Sequence, residues 1–330
     1  GLSTGDRRVI LIDQRVLDLY GNTVSPPLDP MLTIAIKAVE ETKSLEQIPA
    51  IVEQLVTSGI RRSDELVAVG GGITQDVAAF AASIMFRGMD WSFVPTTLLA
   101  QSDSCIGSKS SINAAGIKNL VGTFQAPRRV TIDLGFLQSL DDADIRSGIG
   151  EMLKVHAIAG PQHFDQLAAE YEELFVLDAV MLTAIRRSLL FKRELIQIDE
   201  FDRGPRRVMN YGHSFGHAIE IATDYGIPHG IAITVGMDLA NYVSAQLGVS
   251  GWSQYERMHS ILALNFSTFD RVAIDPERLL AALSRDKKNS ATHLRLVLVA
   301  HDGTIGLQEV KPNGALAEAV REYLSERTLG

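Results

Sequence analysis

Leu66-Val-Ala-Val69-Gly70-Gly-Gly72-Ile-Thr-Gln-Asp76 is the stretch that decides the fold class. Four apolar residues in a row suit a short strand buried on both faces, and the Ala-rich segment from Asp76 to Met85 reads as a helix. Between them, three glycines make positive φ available and let backbone N–H groups at a helix N-terminus approach an anion such as a diphosphate. The triplet is not a GxGxxG fingerprint, and glycine runs also serve as ordinary turns. The loop therefore nominates a dinucleotide site without establishing one.

Outward from this loop, Arg8-Val-Ile-Leu-Ile-Asp13 reads as a strand, followed by an amphipathic stretch from Thr33 to Val39 and a predicted helix from Leu45 to Ser58. Trp91 to Pro95 and Arg129-Val-Thr-Ile-Asp133 read as further strands. Strands alternating with helices predict a parallel sheet covered on both faces. Asp13, ending the first strand, suits either a ribose acceptor or a helix N-cap. From Asp144 onward helical periodicity takes over, with helices predicted over roughly 145–159, 164–171, 178–198, 212–223, 231–247, 254–262, 276–283 and 314–325. A late β-hairpin is expected from 294–300 and 304–309 through His301-Asp-Gly303. The domain boundary is placed near Leu140, with a cleft between the halves.

Composition narrows the function. A chain of 330 residues, 46% hydrophobic and 22% charged, can bury one large or two medium cores. A formal charge of −9 argues against a general nucleic-acid or anionic-membrane binder. The single cysteine, Cys105, permits no intrachain disulfide and no cysteine-based zinc site, which points to the cytoplasm. No apolar run reaches the roughly 18 residues of a membrane helix, and no signal-peptide pattern opens the chain. Gly1-Leu-Ser-Thr-Gly-Asp6 is assigned no function.

Two further segments carry chemistry. Pro95-Thr-Thr-Leu-Leu-Ala-Gln-Ser-Asp103-Ser-Cys-Ile-Gly-Ser-Lys109-Ser-Ser-Ile-Asn113 leads into Gly116-Ile-Lys-Asn-Leu120. Hydroxyls and two lysines on flexible backbone suit a phosphorylated or polyhydroxylated ligand, although solvated loops share this composition. Asn210-Tyr-Gly-His-Ser-Phe-Gly-His-Ala-Ile-Glu220, with Pro228-His-Gly230, gathers three of the eight histidines. His213 and His217 are one helical turn apart, His229 follows the helix, and Glu151 in Gly148-Ile-Gly-Glu-Met-Leu-Lys154 offers a charged ligand with Lys154 on the same face. Arg206, Arg207 and Asn210 stand nearby in sequence. Spacing leaves open which two histidines would bind a metal.

These motifs, together with Phe86-Arg-Gly88, Lys118-Asn119 and Asp286-Lys-Lys-Asn289, resemble the dehydroquinate synthase family of sugar phosphate cyclases over roughly residues 8 to 310. The resemblance implies an N-terminal NAD-binding α/β domain, residues 1–140, and a mostly α-helical C-terminal metal-binding domain, residues 141–330, in a homodimer. It implies that Glu151, His213 and His229 hold zinc or cobalt, while His217 faces the substrate phosphate. Asp103, Lys109, Asn119, Lys154, Lys192, Arg206, Asn210 and one of Lys287 or Lys288 would line the substrate. Lys118 would lie beside cofactor and substrate, and Arg87 would reach the neighbouring subunit's ligand. Asp13, Glu40, Lys43, Gly71, Gly72, Asp76, Thr96 and Thr97 match NAD contacts. The reaction implied is transient oxidation by NAD, β-elimination of phosphate, return of the hydride, ring opening and aldol closure to a carbocycle.

The chain departs from the family pattern in places. Gly107-Ser-Lys-Ser110 stands where Gly-Gly-Lys-Thr is usual, Ile73-Thr-Gln75 where a Val-Gly type sequence is common, and Ala114-Ala-Gly-Ile117 where His-Pro-Leu-Gly is frequent. The region of the first strand is also short. Retention of Arg206, Asn210 and His217, with Lys192, suits a substrate carboxylate, favouring a heptulosonate 7-phosphate or its amino analogue. The alternatives are a neutral sugar phosphate such as sedoheptulose 7-phosphate or glucose 6-phosphate, a metal-dependent polyol dehydrogenase, and a non-catalytic relative.

Overall fold

The computed structural model describes residues 7–23, 27–285 and 293–329, and the chain divides into two compact units, Gly1–Leu140 and Asp141–Gly330. In the first unit the elements are β1 (Arg8–Asp13), α1 (Gln14–Tyr20), β2 (Thr33–Ile36), α2 (Ile48–Thr57), β3 (Glu65–Gly70), α3 (Gly72–Ile84), β4 (Trp91–Pro95), β5 (Ile112–Ala114), β6 (Ile117–Val121) and β7 (Arg129–Val130). Five strands form a parallel sheet in the order β2-β1-β3-β4-β7. Val9, Leu11, Leu66, Ala68 and Phe93 are fully buried within it, as a sheet sandwiched by helices requires.

The chain runs from β1 to β2 on one side and returns to β3 on the other, so the winding reverses between β1 and β3. Ligands of open α/β sheets bind at the carboxyl ends of strands flanking such a reversal. Ile12 pairs with Val69, Val69 with Val94 and Gly70 with Pro95, which brings Asp13, the glycine turn and Thr96 to one edge of the sheet.

The amphipathic stretch from Thr33 resolves as the strand β2, in which half-buried and buried residues alternate. The last parallel strand is shorter than expected, ending at Val130. Asp133 turns instead to local capping, its carboxylate accepting from the Gly135 N–H at 2.8 Å to start a 3-10 turn over Leu134–Ser139. The antiparallel pair β5–β6 was not foreseen.

The second unit contains α4 (Asp142–Ala159), α5 (Pro161–Ala169), α6 (Asp178–Ile198), α7 (His213–Ala222), α8 (His229–Gln246), α9 (Trp252–Phe266), α10 (Pro276–Ser284), the antiparallel pair β8 (Leu294–Val299) and β9 (Ile305–Val310), and α11 (Gly314–Leu329). Every residue of α8 from Gly230 to Ala245 is buried. A helix enclosed all round is the core of its domain; α4, α7, α9, α11 and β8 pack on it. Its one buried carboxylate, Asp238, accepts from Tyr323 Oη at 2.8 Å and lies 2.9 Å from His259 Nδ1, tying α11 and α9 to the core.

Glycines set how closely these helices approach. A Cβ on Gly230 would stand 1.9 Å from the Ser147 carbonyl oxygen, and one on Gly150 would stand 2.3 Å from that of Gly230. The crossing of α4 and α8 therefore tolerates no side chain at either position, and the neighbours Glu151 and His229 are carried to the same point. A Cβ on Gly236 would meet the Gly212 carbonyl oxygen at 2.3 Å, so α7 is drawn onto α8 in the same way.

His156, on α4, is buried, and neither ring nitrogen has a hydrogen-bond partner among the described residues. Burial, reinforced by the Arg187 guanidinium, pushes its pKa down to about 3. A histidine depressed in the folded state contributes stability above its ordinary pKa, and that contribution is lost as pH falls from the ordinary 6.5 toward 3. Between about pH 6.5 and pH 4.5 the loss through this residue is expected to be about 2–3 kcal/mol. Urea unfolding at both pH values should show that slope flattened in His156→Leu; an equal slope in variant and wild type would refute it.

Candidate active site

The glycine-set crossings assemble a cluster in the second unit. The Glu151 carboxylate, 2% exposed, directs Oε1 toward His229 Nε2 at 3.3 Å and His213 Nε2 at 3.7 Å. Its other oxygen is paired with Lys154, which is equally buried. The His217 ring centroid is 5.3 Å from that of His213 and 5.8 Å from that of His229. One nitrogen from each of the three imidazoles falls within 4.8 Å of the others, so all four candidate ligands come together.

Outer contacts orient two of the imidazoles. His213 Nδ1 lies 3.1 Å from the Tyr211 carbonyl oxygen, and His229 Nδ1 lies 3.1 Å from Glu220 Oε1. Each contact places a proton on Nδ1 and turns Nε2 inward toward Glu151, the orientation that metal-ligating histidines take from such partners. Tyr211 and Glu220 were not singled out from sequence. The signal for Glu220 was available, since it falls three residues after His217 and seven after His213, on the same helical face.

Electrostatics agree with a cation site. Burial, then the Lys154 charge and the neighbouring imidazoles, hold His213 well below its usual pKa, which keeps a lone pair available. Burial also pulls His229 down, but hydrogen bonds and charge from Glu151 and Glu220 outweigh it and push its pKa up to about 10. Two carboxylates thus demand a positive charge between them, which a proton on His229 or a divalent cation can supply. One carboxylate and two oriented imidazoles fit zinc or cobalt and leave coordination positions open.

In the same unit, Lys192 on α6 and Arg206 are both buried. The Asp199 carboxylate accepts N–H groups from Arg203, Gly204 and Arg206 at 2.9, 2.7 and 3.2 Å, which fixes the turn preceding Arg206. Those backbone hydrogen bonds hold the half-buried Asp199 carboxyl below its usual pKa. Arg206 donates to the Glu200 carbonyl oxygen at 2.7 Å, and Asn210 Nδ2 donates to that of Arg207 at 3.0 Å. Lys287 and Lys288 lie outside the described residues.

In the first unit, Lys43 Nζ donates to Asp76 Oδ2 at 3.1 Å and to Asn119 Oδ1 at 2.8 Å, and lies 4.0 Å from Glu40 Oε1. Burial, offset by Lys43, raises the Asp76 pKa to about 6. Asn113, missed from sequence, joins the group: its Nδ2 donates to Glu40 Oε1 at 2.7 Å and its Oδ1 accepts the Asn119 N–H at 2.9 Å. Asn119 has φ 54°, so this bond steadies a left-handed residue.

The glycine turn differs from expectation in one respect. None of Gly70, Gly71 and Gly72 has positive φ; Gly71 stands at −86°. Its glycines serve close approach instead. A Cβ on Gly70 would strike Thr74 at 2.4 Å and one on Gly71 would press on Thr97 at 3.0 Å, whereas one on Gly72 meets nothing within 4 Å. The first residue of α3 thus faces open space, where a diphosphate fits the helix N-terminus. Thr96 is held at the same edge by its N–H bond to the Gly70 carbonyl oxygen, 2.9 Å.

Asp13 caps α1, accepting the Arg15 N–H at 3.0 Å, so the N-cap reading holds. Asp103 is buried, on a π-helical turn spanning Ala100–Ser104, whereas Lys109, Lys118 and Asn119 are exposed. Arg87 follows Phe86 in a left-handed kink, with φ 63° and 53°.

Residues 33–147 match the 3-dehydroquinate synthase N-terminal family and residues 148–289 the 3-dehydroquinate synthase C-terminal family. The chain is 38% identical over 335 residues to a 3-dehydroquinate synthase of Xanthomonas axonopodis pv. citri (strain 306), covering 97% of this chain and 90% of that one. A 2-epi-5-epi-valiolone synthase from Streptomyces hygroscopicus subsp. jinggangensis 5008, solved with NAD+ and Zn2+ bound, superposes with TM-score 0.87 at 27% identity, over 98% of this chain and 92% of that one. A 2-deoxy-scyllo-inosose synthase complexed with carbaglucose-6-phosphate, NAD+ and Co2+ superposes with TM-score 0.79 at 26% identity, over 96% and 90%. The fold is that of the two-domain sugar phosphate cyclases. Within that class, the chain belongs to the 3-dehydroquinate synthase family.

The oriented pair His213 and His229, with Glu151, is expected to dominate divalent-cation affinity. His229→Ala should abolish zinc retention through dialysis, Glu220→Gln should weaken affinity about 10- to 100-fold, and His217→Ala should leave it within a few-fold of wild type. Chelator competition measures all three; a His217→Ala loss as large as that of His229→Ala would assign the site to the three imidazoles instead.

Proposed function

We propose that this chain is an NAD- and metal-dependent cyclase that converts a carboxylated heptulosonate 7-phosphate, 3-deoxy-arabino-heptulosonate 7-phosphate or its amino analogue, to a dehydroquinate-type carbocycle with release of phosphate. The observation that carries the reading is the convergence of Glu151, His213 and His229, each imidazole turned inward by its own outer acceptor. The named relative at 38% identity supports the same substrate class.

When bound, a divalent ion at these three residues would supply Lewis acidity that makes a substrate hydroxyl easier to deprotonate. NAD, which Asp13, Glu40, Lys43, Gly71, Gly72, Asp76, Thr96 and Thr97 would hold, would supply a hydride acceptor that is regenerated. The remaining work belongs to the side chains. Lys154, buried against Glu151, donates hydrogen bonds and stabilises charge on a nearby oxygen. His217, beside the metal ligands yet held apart from their role, takes the substrate phosphate, and the departing phosphate can itself accept the proton. Arg206, Asn210 and Lys192 bind the carboxylate, a planar guanidinium beside a carboxamide being suited to its two oxygens. Asp103, Lys109 and Asn119, with one of Lys287 or Lys288, bind the remaining oxygens, and Lys118 serves cofactor and substrate.

A homodimer accompanies this reading, with Arg87 serving the neighbouring subunit's ligand. The half-exposed Ile84 and Phe86 beside it support a covered face. No described helix is long and apolar enough to cross a membrane.

Incubation with NAD, zinc or cobalt and 3-deoxy-arabino-heptulosonate 7-phosphate should release inorganic phosphate with no net NADH. Turnover of sedoheptulose 7-phosphate or glucose 6-phosphate instead would reassign the substrate, and NADH accumulation would indicate a polyol dehydrogenase. Arg206→Gln should raise KM for the carboxylated substrate by about 2 kcal/mol, on the order of 30-fold; an unchanged KM would remove Arg206 from the carboxylate site.

A further inference from the structure

We propose that Gln75 is a positioning residue that clamps the turn bearing Asp103, and so sets affinity for the sugar phosphate without touching it. The inference rests on the reading of Asp103 as a substrate ligand. Gln75 stands in the first turn of α3 and is 5% exposed. Its Nε2 donates to the Ser104 carbonyl oxygen at 2.7 Å, and Ser104 Oγ donates back to its Oε1 at 2.6 Å. Both ends of the carboxamide are used on one residue. A carboxylate in its place would face the Ser104 carbonyl oxygen with like partial charge, and a smaller side chain would leave both Ser104 groups without this partner.

The segment so held needs an anchor. Ala100–Ser104 is a π-helical turn, with the Cys105 N–H reaching back to the Ala100 carbonyl oxygen at 3.0 Å. Such turns are rare and short because their geometry is poorly self-supporting. Its front is fixed by Gln101, whose Nε2 donates to the carbonyl oxygens of Pro95 at 3.1 Å and Asp133 at 2.8 Å. Its end is fixed by Gln75. Asp103 lies between these two anchors, so removing one loosens the turn that carries it.

The next residue of α3 extends the clamp. Asp76 Oδ1 accepts the Ser111 N–H at 2.9 Å, so adjacent residues of one helical turn grip Ser104 and Ser111, on either side of Lys109. The same turn begins at Gly72. The proposed diphosphate cradle and the proposed substrate segment are therefore joined through one helical turn, and Gln75 is the link on the Asp103 side.

The test uses the NAD- and zinc-loaded enzyme with Gln75→Ala, Ser104→Ala and the double variant. KM for the sugar phosphate should rise about tenfold or more in Gln75→Ala, while NAD affinity changes less than about threefold. The two substitutions should be non-additive, the double variant resembling Gln75→Ala. Cys105, the one cysteine and fully buried, gives a readout independent of activity. A thiol reagent should label it about tenfold faster in Gln75→Ala than in wild type under native conditions, with global unfolding little changed. Should Gln75→Ala fail to fold, Ser104→Ala, which removes one of the two bonds, is expected to show the same changes at smaller size. Wild-type labelling rates in folded variants would overturn the clamp. Faster labelling with unchanged KM would overturn the positioning role. Absence of any sugar phosphate turnover by wild type would count against the proposed function instead, leaving the labelling result to decide the clamp.

Discussion

A carboxylate removed from water must be neutralised nearby, and the helical unit is organised around one that is. Glu151 is enclosed by α4 and α8, at a crossing that admits no side chain on Gly150 or Gly230. Left unpaired, such a charge would cost several kcal/mol. Lys154 meets one oxygen, and two imidazoles meet the other. The same packing that makes α8 an all-round core helix therefore concentrates charge at its N-terminus, where a proton on His229 or a divalent ion can satisfy it. Structure and chemistry share a single constraint here, since glycines that bring the helices into contact also bring Glu151 and His229 within reach of each other.

The α/β unit solves a different problem. It leaves backbone N–H groups available at the start of α3 by crowding Gly70 and Gly71 against threonines while opening Gly72 to space. Its charged groups are cross-linked to one another: Lys43 bridges Asp76 and Asn119, and Asn113 bridges Glu40 and Asn119. Groups proposed for dinucleotide and for substrate are thereby wired together within the unit before any ligand arrives. Preorganisation of this kind lowers the ordering cost of binding.

Much of this was legible in the residues and some was not. The strand Glu65–Gly70 followed by glycines and an Ala-rich helix, and the helix Asp178–Ile198, followed from apolar spacing because each is long or strongly punctuated. The pair β5–β6 was not legible: its strands are three and five residues long, and β6 is almost wholly exposed, so no alternation of burial marks it. The π-helical turn at Ala100–Ser104 read as a flexible polar loop, because the Gln101 carboxamide and the Ser104 hydroxyl point into tertiary partners that sequence does not reveal. The histidines were visible at once. The outer partners Tyr211 and Glu220 were not, because their contacts are set by three-dimensional orientation rather than by spacing.

Everything proposed for this site depends on which groups surround a bound divalent ion. X-ray absorption spectroscopy of the cobalt-loaded protein measures that directly. The expected first shell contains two imidazole nitrogens and carboxylate oxygen, with the imidazole count unchanged in His217→Ala. A shell of three imidazoles that falls to two in His217→Ala, with no carboxylate contribution, would contradict it.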